Sequence, residues 1–147
     1  MAEPWLEELS EQECIGFLQA NAVGRIGVVR DGKPFVFPIN YRFIDFSERR
    51  LLVIRTRPGN VIDTAEIDVA FEVDGIDPSH QRGWSVLAQG VLRHVAGDPT
   101  LLAAHFDSDT WIPDGRTEWL VFEPSVITGR RLLQPTPEWA FHQSAYL

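Results

Sequence analysis

Apolar residues along this chain recur at two different periods, and the switches between them mark its elements. Cys14, Phe17, Leu18 and Ala22 follow one another at helical steps behind Ser10-Glu11-Gln12-Glu13. That Ser-x-x-Glu form is a capping box, so the spacing predicts a helix over 10–20. From residue 23 the period shortens to two. Residues 23–29 and 35–43 read as the arms of a hairpin around Asp31-Gly32, a pair that readily supplies the positive φ of a tight turn. In the second arm Phe35, Phe37, Ile39, Tyr41 and Phe43 alternate with Val36, Pro38, Asn40 and Arg42, which predicts one strongly apolar face.

Further strands are expected over 51–56, 68–74, 84–95, 118–122 and 126–133. Pro58-Gly59 interrupts the first of these before Val61, Ile62 and Ala65 resume helical spacing, and 99–105 suggests one more short helix. Residues 75–83 and 107–117 read as loops. Long strand-helix-strand alternation is absent, so the expected fold is mainly β (α+β): an antiparallel barrel of six to seven strands with two or three short helices. One domain over 1–147 fits the length of 147 residues. The tail 134–147 carries Trp139, Phe141 and Tyr146 without periodicity and is expected to pack on the barrel or on a partner subunit.

Charge narrows the range of partners. A formal charge of −8 and no long basic run argue against a nucleic-acid or anionic-membrane partner, since either needs a concentrated basic face. Residues 1–9 lack a basic leader and a long apolar core, so a cytoplasmic location is expected. Cys14, the only cysteine, excludes an internal disulfide, and its place on the apolar side of the helix predicts burial. His80, His94, His105 and His142 lack metal-ligand spacing, and neither Ser47 nor Ser85 sits in a Gly-x-Ser-x-Gly nucleophile turn. Glu72 and Asp74 share a strand face and read as a solvated pair. The exception to this plain picture is the turn after Arg55-Thr56-Arg57. Glycine and a helix start there offer backbone N–H groups to an anion, and Arg55 offers a planar fork of donors, so a phosphate-bearing cofactor is the first hypothesis.

The order of motifs resembles the pyridoxamine 5'-phosphate oxidase-like family of flavin-binding split barrels, particularly its short actinobacterial-type members. The residues that carry the resemblance are Gly24-Arg25-Ile26-Gly27 with Gly32-Lys33-Pro34, Pro38-Ile39-Asn40-Tyr41, Arg55-Thr56 with Pro58-Gly59, Phe71-Glu72-Val73-Asp74, Gly83-Trp84-Ser85-Val86, Trp111 with Pro113, and Ile127-Thr128-Gly129-Arg130-Arg131. It implies an FMN-binding split barrel, a homodimer with the cofactor at the subunit interface, and transfer of hydride or electrons to a small-molecule acceptor. Carried over by position, Pro38, Ile39 and Asn40 present backbone to one edge of the isoalloxazine ring, and Arg55, Thr56, Gly59 and Asn60 surround the phosphate. Trp84 and Ser85 match positions near the ring, and Arg130 reaches the groove from a closing strand. Val61 stands where flavin-binding relatives usually place Lys, which removes a phosphate contact worth about 1.5–3 kcal/mol. That departure leaves two alternatives open: a deazaflavin coenzyme in the same groove, or a non-catalytic ligand-binding barrel. No catalytic side chain is nominated, because in such proteins the flavin carries the redox chemistry.

Overall fold

The computed structural model describes residues 5–46, 48–57, 59, 62, 66–95 and 118–133. These form eight strands and one helix: β1 (Leu6–Glu8), α1 (Glu11–Ala20), β2 (Val23–Arg30), β3 (Lys33–Asn40), β4 (Arg42–Asp45), β5 (Arg50–Thr56), β6 (Glu66–Asp77), β7 (Arg82–His94) and β8 (Glu118–Leu132). All pairings are antiparallel, in the order β3-β2-β6-β7-β8-β5-β4 with β1 added on β8. Because β3 leads directly into β4, the two ends of that order meet around Tyr41, and the sheet wraps into a split barrel. Among the described residues no helix is long and apolar enough to cross a membrane.

The local signals act as the residue types demand. Ser10 caps α1 reciprocally with Glu13: the Glu13 N–H donates to Ser10 Oγ at 3.2 Å and the Ser10 N–H to Glu13 Oε2 at 2.8 Å. Asp31 and Gly32 take φ of 52° and 73°, the pair of positive values a two-residue hairpin turn needs.

Three strand expectations are corrected. The arm expected over 35–43 is two strands: β3 pairs with β2, then Tyr41 leaves the ladder and β4 pairs with β5. Residues 118–122 and 126–133 are one strand, bent by a bulge between Gln89 and Gly90 that leaves Ser125 as the extra residue, its hydroxyl donating to the Gln89 carbonyl. With β1 added, the total is eight instead of six to seven. The helices suggested after Pro58 and over 99–105, with Trp111, Pro113 and the tail 134–147, lie outside the described residues.

Side chains alternate across the wrapped sheet. Ile26, Phe71, Val86, Ala88, Leu52, Ile54, Leu120 and Phe122 turn inward to one core, 1% exposed or less, and α1 closes it with Cys14, Ile15 and Leu18. Backbone and ring approach closely here, since a Cβ on Gly24 would sit 2.2 Å from Phe71 Cζ. A smaller cluster of Ile44, Leu51, Val53 and Val121 lies on the outer side of β4, β5 and β8. The inner row of the 35–43 alternation is buried only towards its far end: Phe35 is 41% exposed, whereas Tyr41 is fully buried. Among the described residues β3 pairs only with β2, which leaves its start without a second neighbour to cover it.

Candidate cofactor site

Tyr41 builds the corner at which the site residues gather. Its backbone N–H donates to the Ala22 carbonyl at 3.0 Å, and its hydroxyl donates to the Leu18 carbonyl at 2.6 Å. The ring meets Phe71 edge-on at 4.7 Å, and burial pushes the phenol well above its ordinary pKa, so it remains a donor. Asn40 is held on one side of this pin and Arg42 on the other. Alternation along the strands sets Asn40, opposite Val23 on β2, and Arg55, opposite Trp119 on β8, on the outer face, and β3 touches β5. Asn40 Nδ2 is a buried nitrogen with no hydrogen-bond partner among the described residues. Arg55 holds its guanidinium 5.4 Å from the centroid of the Trp119 ring. Four residues beyond it, Gly59 takes a φ of 78°, a left-handed turn that suits glycine.

A second group of polar side chains lies across the same outer face. Register places Pro38, Arg25, Glu72, Leu87 and Thr128 in one row, and Asp74, Ser85 and Arg130 in the next. Arg25 Nη1 donates to Glu72 Oε2 at 3.3 Å and to Asp74 Oδ2 at 3.0 Å. The two carboxyls are 30% and 27% exposed, so the solvated reading is corrected: they are half-buried and share a single guanidinium. Burial, and next the neighbouring Asp74 carboxylate, push the Glu72 pKa up to about 7. Arg25 is 47 residues distant in sequence from Glu72, and no local pattern announces such a partner.

A family model for pyridoxamine 5'-phosphate oxidase matches residues 10–131 of the chain. The chain belongs to that family. The Mycobacterium tuberculosis protein Rv0080, itself uncharacterized, is 27% identical over 130 residues, covering 86% of this chain and 85% of that protein. A Corynebacterium glutamicum structure superposes with a TM-score of 0.71 at 26% identity, covering 92% of this chain and 100% of that one. The FAD-binding protein from Mycobacterium smegmatis gives a TM-score of 0.65 at 31% identity, covering 86% and 98%.

Against the positions expected for a pyridoxamine 5'-phosphate oxidase-family flavin site, the structure separates the candidates. Pro38, Asn40, Arg55, Ser85 and Arg130 all lie on the outer face. Ile39 turns inward against the core, and so does Trp84, whose ring stacks on Phe17 at 3.9 Å. Thr56 alternates with Arg55 and is buried at 3% exposure, so its hydroxyl is not on the face that Arg55 presents. Asn60 and Val61 lie outside the described residues. For the family's flavin, the fit rests on a corner where Asn40 Nδ2 has no hydrogen-bond partner among the described residues, with Arg55 on the strand that β3 touches and a positive-φ glycine four residues beyond it. A bound flavin would supply the redox centre; Asn40 and Arg55 would hold it. Among the described residues no group of His, Cys, Asp and Glu is placed to hold a metal ion.

Proposed function

We propose that this protein binds a flavin nucleotide in a groove completed by a second copy of the chain, and that hydride or electrons pass from it to a small organic acceptor. The observation that carries the reading is the Tyr41 corner, where Asn40 Nδ2 is buried with no hydrogen-bond partner among the described residues and β3 touches β5, the strand that carries Arg55. Membership of the family and the FAD-binding Mycobacterium smegmatis neighbour support the same cofactor class. FMN is the occupant that the family resemblance implies. FAD shares the phosphate that Arg55 would meet, and a deazaflavin coenzyme is the alternative the Val61 position keeps open.

Two features support the second copy. The outer candidates fall into two patches: Pro38, Asn40 and Arg55 at the corner, and Ser85 with Arg130 on β7 and β8. Three strand spacings, about 14 Å, separate Asn40 on β3 from Ser85 on β7, so a groove between two copies can use one patch from each. Beside them lies an apolar groove of about 620 Å³ lined by Gly27, Val36, Ala70, Val91 and Val126. Val36 is 70% exposed and Val126 48%, an apolar surface suited to being covered by a partner.

Within such a groove the chain's own groups have distinct tasks. Arg55 holds the phosphate through charge-assisted bonds, and Asn40 donates to a ring or ribityl acceptor. Pro38, with no N–H to offer, presents only its carbonyl and ring. The test is fluorescence titration of the purified protein with FMN, FAD and a deazaflavin coenzyme. Saturable binding of one of them, weakened about 10- to 100-fold by Arg55→Ala, is expected. If none of the three binds, the reading fails.

A further inference from the structure

We propose that the apolar groove on the outer face of β2, β6 and β7 binds a small, flat, uncharged aromatic molecule, its ring on Gly27 and Ala70 and one hydrogen-bonding group on the Gln89 carboxamide. Casting this ligand as the electron acceptor rests on the flavin reading above; the binding itself does not.

Shape is the first support. Register sets Val36, Gly27, Ala70, Gln89 and Val126 side by side on five neighbouring strands. Val36 and Gln89 stand three strand spacings apart, about 14 Å, and only a hydrogen and a methyl project between them. The volume of about 620 Å³ lies within the range of small-molecule sites, about 300–1,000 Å³. Val36 is one row from Pro38, so the groove adjoins a position expected at the flavin ring.

The second support is the glycine of the floor. A Cβ on Gly24, Gly75, Gly90 or Gly129 would lie between 2.2 and 2.7 Å from other atoms of the chain, so the fold itself requires those glycines. At Gly27 the nearest atom is the Ala70 carbonyl oxygen at 3.8 Å, an ordinary contact, and φ is not positive. A strand glycine that the chain does not need for its own packing marks a place where a ligand or another backbone comes close. A second copy set on this face by two-fold symmetry would bring hollow against hollow and leave the space enclosed, so a small molecule, and not the partner, fills it.

Charge decides the class of ligand. Among the described lining residues Asp68 is the only charged one, and no Lys, Arg or His lines the groove. An anion placed there would lose water and gain no counter-charge, which disfavours phosphorylated and carboxylated ligands. Asp68 is itself exposed to water and demands no cation. Of the other polar residues, Ser125 donates its hydroxyl to the Gln89 carbonyl at 3.0 Å. The Gln89 carboxamide then supplies a neutral donor and acceptor side by side, suited to a carbonyl or amide carried on the ring.

The test is calorimetric titration of the full-length protein, without flavin, with 2-naphthamide and with 2-naphthoate, which share a ring and differ in charge. Saturable binding of 2-naphthamide is expected, with 2-naphthoate at least about tenfold weaker. Gly27→Val and Ala70→Leu fill the floor from two strands and should each weaken 2-naphthamide about tenfold or more, with thermal unfolding as the fold control. Gln89→Leu should weaken it about three- to tenfold, the worth of one neutral hydrogen bond. The assignment is overturned if 2-naphthamide does not bind the wild type, if 2-naphthoate binds as tightly, or if either folded floor variant binds like the wild type. Loss of a dimer in sedimentation of Gly27→Val, with no 2-naphthamide bound by the wild type, would overturn it in favour of the partner's backbone. The flavin reading is decided separately, by the titration with FMN, FAD and a deazaflavin coenzyme.

Discussion

On their inward faces β2 and β6 set Ile26, Val28, Phe71 and Val73 into the core, each 3% exposed or less. On their outward faces the same strands carry Arg25, Gly27, Ala70, Glu72 and Asp74, and Val29 stands 62% exposed beside them. The inner face is complete by itself: every apolar group has neighbours, and removing one leaves a cavity. The outer face mixes small residues, open valines and half-buried charge, a composition that gains from being covered. One pair of strands thus provides a packed core on one side and an open, mixed surface on the other.

Substitutions that act on one face only sharpen this contrast. The largest effect is expected for Phe71→Ala, which empties the centre of the core and should cost about 3–5 kcal/mol in denaturant unfolding. A loss below about 1 kcal/mol would mean that the inner face is not the close-packed one.

Glu72→Gln comes next, and its effect depends on pH. The folded protein holds the Glu72 proton up to about pH 7, against an ordinary value of 4.5, so the folded state binds that proton more tightly than the unfolded chain. Its stabilising contribution is therefore complete below about pH 4.5 and is lost as the pH rises through about 7. Glu72→Gln should remove that downward slope and leave the variant more stable than the wild type at pH 8, by about 1–2 kcal/mol after solvent screening. Urea unfolding at pH 5 and pH 8 measures it, and equal slopes in both proteins would break the argument.

The smallest effect on folding belongs to Val36→Asp. An open position on the outer face should change unfolding free energy by no more than about 0.5 kcal/mol. The same change should convert a dimer to a monomer in sedimentation if this face meets a second copy. A dimer that persists would move the interface elsewhere.

Much of the scaffold was legible because its signals are local. Ser10 and Glu13 lie three residues apart, and Asp31-Gly32 needs nothing outside itself to turn the chain. The break at Tyr41 was not legible, because the strand changes partners without changing its period of two. The continuity of β8 was not legible either, because Pro124 is kept within the strand by sitting opposite Gly90 at the bulge, where the ladder is already interrupted. For the site, motif order assembled Pro38, Asn40, Arg55, Ser85 and Arg130, and the structure sets them on one face. The side chains of Ile39, Trp84 and Thr56 turn to the inner side, because a neighbour in sequence on a strand points to the other face. Arg25 shows another limit, because a partner 49 residues from Asp74 is found only through the pairing of β2 with β6.

Among the described residues the second margin of β3 is unpaired, and this bears on assembly. Pro34 and Pro38 lie on this strand, and a proline cannot donate to an incoming ladder. Lys33 adds a charge at the strand's start. A margin of this kind is a poor template for another chain's backbone, so sheet extension and fibre growth from this side are disfavoured. If two copies of this protein associate as proposed, this side leaves them to meet through side chains, face against face, a geometry that can enclose a ligand between them.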